Sequence, residues 1–342
     1  MLRKIFLGLL IFIGLAIIVL AAMFYRPDLS RDDLVQYINE QSKFIELPSG
    51  AMVHYRDQGN PNGPVIALVH GQLGSLHDWE LWIPYLKDKY RIITMDRPAN
   101  GLTGRTPIDF YSVGSNVKLL EEFFKELEIE KMIIVGHSAG GSVSLRYALE
   151  NQEQLNGLVL IGSGGATTLE EWRDVNEYAA ETMEQSMNGK TKDVRDLSFS
   201  EKLMSKMASP SLVEDGLKSM FGDETLVSDE MITRYSKLMR HKGNRFAQSL
   251  MSYHGYAEVG PENYVPRLHE IKIPTLLMFG EKDQIVTVDI AHKFDKLIDN
   301  TQLIIYNGVG HIPQIEVHEQ SVQDLLTFIE GKINTPLAET KK

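Results

Sequence analysis

The chain has 342 residues, 43% hydrophobic and 24% charged, an ordinary globular balance that excludes disorder as its overall state. A net charge of −11 argues against nucleic acid, whose phosphates need a basic footprint, and against the whole body lying on anionic lipid. Cysteine is absent, which excludes disulfides, cysteine-ligated metals and a thiol nucleophile.

Residues 5–25, IFLGLLIFIGLAIIVLAAMFY, carry no charge and are apolar on every face. About 20 such residues cross the hydrocarbon core of a bilayer as a helix. Arg3 and Lys4 precede the run, and Arg26, Asp28, Arg31, Asp32 and Asp33 follow it. That charge bias predicts a cytoplasmic N-terminus and a body on the non-cytoplasmic side. The run is long for a signal peptide, whose apolar region is about 7–15 residues. Val19-Leu20-Ala21 is a weak cleavage site, and its use would release a secreted body. Residues 1–25 are therefore expected to form an N-terminal transmembrane helix that anchors the protein in the membrane. Residues 26–43 are expected to form a juxtamembrane linker.

From Phe44 onward strands and helices alternate. Residues 44–47 and 52–57 flank the Pro48-Ser49-Gly50 turn and predict a hairpin. Residues 64–70 (PVIALVH), 90–96 (YRIITMD), 131–137 (KMIIVGH) and 155–162 (LNGLVLIG) are short continuous apolar runs. Strands buried on both faces read this way. Helical spacing covers residues 113–127 and 142–150. The alternation predicts an α/β fold, with a mostly parallel central sheet and helices on both faces.

The rhythm stops over residues 165–268, which lack strand runs and hold eight of the 14 methionines. This block is expected to be a helical insertion between two strands of one sheet. It divides the core into a first part, 44–164, and a second part, 269–332. Methionine suits a surface that accepts varied apolar groups, and it equally suits a loosely packed helical interior. Strand runs return at 273–280 and 302–306, with helices at 288–297 and 321–329. Residues 333–342 read as a flexible tail.

The sharpest chemical signal is Gly136-His137-Ser138-Ala139-Gly140, at the junction of a predicted strand and helix. A G-x-S-x-G pentapeptide there forces a tight turn that lifts the serine hydroxyl above the sheet edge. A serine hydroxyl needs a base within hydrogen-bond reach, and the base needs an orienting acid. In this architecture the acid and then the histidine follow the serine in the chain. Asp283, three residues past the 273–280 strand, is the candidate acid, with Glu281 as the fallback. His311, in a glycine-rich loop past the last strand, is the candidate base. The oxyanion donors are expected to be the backbone N–H groups of Ala139 and Gln72. His70 is expected to brace that second loop. Trp79 and Trp82 are expected to pack the following helix.

These residues resemble the α/β-hydrolase family. HGQLGS, DRPANGLTG, GHSAGG, FGEKD and GVGHIP stand in that family's order across residues 44–332. The resemblance implies a Ser138–His311–Asp283 triad and a helical cap, as in capped bacterial esterases, lipases and carbon–carbon hydrolases. Ser138 excludes the branches with an aspartate nucleophile. Two departures stand out: Ala99 and Asn100, where many relatives carry glycine, and Gln72, where they carry an aromatic or small apolar residue. The expected function is hydrolysis of carboxylic esters of apolar character through an acyl-enzyme on Ser138. A carbon–carbon hydrolase with the same triad and a catalytically silent binding protein are the alternatives. No motif calls for a cofactor or a metal, and none is expected. The expected partners are a small ester or lipid-derived substrate and the membrane, with no nucleic acid.

Overall fold

The computed structural model describes residues 25–107, 111–166, 210–254 and 264–333, together with Phe6, Phe12 and Gly14. One eight-stranded sheet organises them: β1 (Ser42–Glu46), β2 (Met52–Gly59), β3 (Val65–Val69), β4 (Arg91–Met95), β5 (Met132–His137), β6 (Leu155–Ile161), β7 (Thr275–Gly280) and β8 (Thr301–Tyr306). Their spatial order is β1-β2-β4-β3-β5-β6-β7-β8. The β1–β2 and β2–β4 pairings are antiparallel, and every pairing from β4 to β8 is parallel. The longer α-helices among the described residues are α1 (Val113–Glu126), α2 (Ala139–Glu150), α3 (Pro210–Lys218), α4 (Asp229–Met239), α5 (Asn244–His254), α6 (Val288–Leu297) and α7 (His318–Phe328).

The continuous apolar strands are buried from both sides because alternate side chains feed two cores. Ala67 and Val69 of β3 join Phe123, Phe124 and Phe294 of α1 and α6 on one face. Ile66 and Leu68 join Trp79, Trp82 and Phe328 on the other. Both tryptophans are fully buried, and the Trp82 indole N–H donates to Ser321 Oγ at 3.2 Å. They are packing residues, as their sequence context suggested. The hairpin closes where Pro48-Ser49-Gly50 indicated, with the Leu47 N–H bonded to the Ala51 carbonyl at 2.9 Å. Helix α2 begins at Ala139, three residues before the periodicity suggested, because the chain reverses within the single residue Ser138.

Two further features concern the ends of the core. Among the described residues between β6 and β7, the chain forms α3, α4 and α5 and adds no strand to the sheet. The linker is docked rather than free: Leu29 exchanges backbone hydrogen bonds with Arg240 and Lys242, and Leu34 is buried against Leu102 and Leu238.

The expected transmembrane helix requires correction. No helix among the described residues is long and apolar enough to cross a membrane. A span needs about 30 Å of continuous apolar helix. The longest described helix, α1, has 14 residues and reaches only about 21 Å, and one of its faces is polar. Of residues 5–25, only Phe6, Phe12, Gly14 and Tyr25 are among the described residues. The flexible tail expected at 333–342 lies outside them from residue 334 onward.

The packing at Trp82 sets a stability test. Trp82→Ala is expected to cost about 3–5 kcal/mol in urea unfolding. Leu81→Ala, at a side chain 43% exposed, is expected to stay within about 0.5 kcal/mol.

Candidate active site

Parallel pairing brings the carboxyl ends of β3, β5, β6, β7 and β8 to one edge of the sheet, where ligands of such sheets bind. Ser138 sits there between β5 and α2 with φ 52° and ψ −121°. That conformation costs a non-glycine residue about 1–3 kcal/mol. Close packing of the neighbouring backbone holds it. A Cβ at Gly140 would collide with the carbonyl oxygens of Val69 and His70, and one at Gly136 would lie 2.6 Å from the Gly140 oxygen. The Ser138 N–H donates to the Ile161 carbonyl at 2.9 Å, which ties the turn to β6.

His311 and Asp283 meet in the next two loops. The His311 Nδ1–H donates to Asp283 Oδ2 at 2.7 Å, and both residues are buried. The other carboxylate oxygen accepts the N–H groups of Ile285 and Val286 at 2.8 and 2.9 Å, which fixes the acid's orientation. With Nδ1 donating, His311 keeps a lone pair at Nε2, the form a general base requires. Gly162, just past β6, packs against this pair: a Cβ there would lie 3.1 Å from His311 Nδ1 and 3.3 Å from Asp283 Oδ2. Thus Ser138 and the His–Asp pair flank the same end of β6. The fallback acid Glu281 is turned to another task, accepting the Gly308 N–H at 2.9 Å.

The loop after β3 crosses directly beside the serine. A Cβ at Gly71 would lie 3.1 Å from Ser138 Cβ. Neither the Gln72 nor the Ala139 amide donates to a backbone carbonyl of a described residue. The Gln72 side chain is exposed. Behind the loop, the Arg97 N–H donates to His70 Nε2 at 2.9 Å, so His70 carries its proton on Nδ1 and donates it to the Gly71 carbonyl at 2.6 Å. Burial, with Arg97 beside it, pushes the His70 pKa down to about 4 and keeps the ring neutral. Asp96 reinforces the same region by accepting the N–H groups of Leu76 and Leu102 and pairing with His54 Nδ1 at 2.7 Å. Burial alone would raise the Asp96 carboxyl, yet His54, His70 and the Leu102 amide hold it well below the usual carboxylate range.

Three supporting residues escaped the sequence reading. His137 donates from Nε2 to the His311 carbonyl at 3.0 Å, and burial together with nearby His311 keeps its pKa far below the ordinary value. The Met220 carbonyl accepts the His311 N–H at 2.6 Å. Glu316 Oε2 accepts the N–H groups of Gly222 and Gly310 at 2.9 and 3.2 Å, binding the segment after α3 to the histidine loop. His137 lies inside the serine motif and its position was a usable signal. The Met220 and Glu316 contacts join segments distant in the chain, and no local pattern announces them. Among the described residues, no group of three His, Asp or Glu side chains gathers as a metal site.

Residues 64–317 match the family model described as alpha/beta hydrolase fold. The chain belongs to this family and is a hydrolase of its type. It is 27% identical over 303 residues to 2-hydroxy-6-oxo-6-(2'-aminophenyl)hexa-2,4-dienoic acid hydrolase of Metapseudomonas resinovorans, covering 85% of this chain and 93% of the relative. It is 21% identical over 304 residues to Lipase 3 of Moraxella sp. strain TA144, covering 87% and 89%. A crystal structure of a membrane phospholipase A superposes with a TM-score of 0.69 at 20% identity, covering 97% of this chain and 100% of that one. At that identity the likeness concerns the fold.

The depressed His70 pKa makes part of the stability pH-dependent. The unfolded chain takes up the His70 proton near pH 6.5 and the folded protein only near 4. Stability linked to this residue is therefore complete above about 6.5 and is lost as pH falls toward 4. Between pH 7.5 and 5 the wild type is expected to lose roughly 2 kcal/mol more than His70→Gln in urea unfolding.

Proposed function

We propose that the protein is a serine hydrolase of carboxylic esters with apolar acyl groups. The observation that carries this reading is the buried 2.7 Å His311–Asp283 pair beside the strained turn at Ser138. In the proposed mechanism the Ser138 Oγ attacks the ester carbonyl while His311 Nε2 takes its proton. Asp283 holds the imidazole in the tautomer that can accept it and stabilises the imidazolium that forms. The Gln72 and Ala139 N–H groups bind the oxyanion. His311 then returns the proton to the leaving alkoxide, and the ester C–O bond breaks. Water, activated by the same histidine, hydrolyses the acyl-enzyme. The methionine-rich cap and the lipase among the relatives support an apolar acyl group.

A second reading is hydrolysis of a carbon–carbon bond with the same residues. It is favoured by the relative that acts on a 2-hydroxy-6-oxo-dienoic acid, at 27% identity.

Hydrolysis of p-nitrophenyl esters from acetate to palmitate tests both readings beside 2-hydroxy-6-oxo-6-phenylhexa-2,4-dienoate. The proposal predicts ester turnover that rises with acyl length beyond acetate. Ser138→Ala is expected to lower kcat by more than about 10⁴-fold, and Asp283→Asn by about 10³–10⁴-fold. Turnover of the dienoate with inert esters would replace the first reading by the second.

A further inference from the structure

A buried polar bond between α4 and the core is not used by the mechanism above. The Tyr235 hydroxyl, on α4, donates to Asp78 Oδ1 at 2.8 Å. Tyr235 is 7% and Asp78 3% exposed. Asp78 belongs to the short turn Leu76–Trp79 that ends the oxyanion loop. Its second oxygen accepts the Ser75 N–H at 3.3 Å, and the Asp78 N–H donates to the Ser75 carbonyl at 3.0 Å. A Cβ at Gly74 would collide with that same oxygen. One carboxylate thus bears on the cap hydroxyl and on the backbone of residues 74–75, a few residues past the Gln72 amide.

We propose that Tyr235 is a positioning residue for the oxyanion hole: acting through Asp78, it fixes residues 71–75 so that the Gln72 N–H faces the reacting carbonyl. The inference rests on the serine-hydrolase reading.

The argument is one of desolvation. A buried carboxylate without partners is costly, so the group must keep its hydrogen bonds or reach water. Burial pushes the Asp78 carboxyl up to about 6, against the Tyr235 hydroxyl, Arg234, the Ser75 amide and His77, which pull it down. Two of these four groups, Tyr235 and Arg234, belong to the cap helix. Removing α4 strips the carboxylate of its Tyr235 hydrogen bond and of the nearby Arg234 charge, and the turn must shift to rehydrate it. Loss of the cap contact and loosening of the oxyanion loop are then one event. A second pairing steadies the same junction: Glu80, just past the turn, accepts from Arg56 Nη1 at 2.8 Å, pairs with His77 Nδ1 at 2.8 Å and lies 3.9 Å from Arg234 Nη1. The cap therefore grips the site at two points, the oxyanion side through Tyr235 and the base side through the Met220 carbonyl on His311.

The test combines steady-state hydrolysis of p-nitrophenyl butyrate with deuterium exchange on the full chain. Tyr235→Phe removes one oxygen atom and leaves the ring. It is expected to lower kcat about tenfold with KM within twofold, and to speed exchange at residues 70–76 but not in β5. Asp78→Ala, which cuts the bridge from the core side, is expected to do the same. Asp78→Asn can bond both partners and is expected to retain kcat within threefold. Unchanged kcat in folded Tyr235→Phe or Asp78→Ala, a change confined to KM, or unaltered exchange at residues 70–76 overturns the proposal. If the wild type hydrolyses no ester, the serine-hydrolase reading fails instead. The exchange at residues 70–76 then decides by itself whether Tyr235 holds the loop.

Discussion

The site depends on a single backbone constraint, the positive φ of Ser138. A residue in that conformation is unstable by itself and persists only where its surroundings leave no alternative. Here the alternatives are closed on three sides. The helix that follows lies so near β3 that nothing larger than glycine fits at position 140. The strand before it meets the same helix at Gly136. The Ser138 amide is tied to β6. Relaxing the serine would mean separating a helix from a sheet whose two faces are both filled with apolar side chains. The hydrophobic cores hold the strain, and the strain presents the hydroxyl.

Behind the reacting edge lies a layer of buried polar groups with a common logic. His70, His137 and Asp96 are removed from water, and each is used as a fixed hydrogen-bonding strut rather than as a freely titrating group. Burial favours the neutral imidazole, and the neutral imidazole offers one donor and one acceptor at set positions. His70 uses both, joining the loop after β3 to the loop after β4. His137 uses its donor to hold the carbonyl of His311. The same low-dielectric setting makes the loss of any of these partners costly. The segment between β6 and β7 enters this layer through Tyr235 and Met220.

Most of the core was legible from local pattern. Strands buried on both faces leave continuous apolar runs, and those at 64–70, 90–96, 131–137 and 155–162 all became sheet strands. The candidate acid and base were found by chain order and by their position after strands, and Asp283 and His311 do meet. What stayed hidden is of two kinds. Contacts across large separations, such as Tyr235 with Asp78 or Met220 with His311, leave no periodic trace. The apolar run at 5–25 reads as a transmembrane helix from its length, its lack of charge and the charges that flank it. Composition sets the affinity of a segment for lipid, whereas a span also requires one unbroken helix of bilayer length, and no described helix meets that requirement.

Intact-mass and peptide mass spectrometry after exposure to a fluorophosphonate tests the central claim most directly, because phosphonylation requires an activated serine and no assumption about substrate. The account predicts one adduct per chain, located on Ser138, formed rapidly in the wild type and at least a hundredfold more slowly in His311→Ala. Absence of labelling in the folded wild type, labelling at another serine, or equal rates in the two proteins would contradict it.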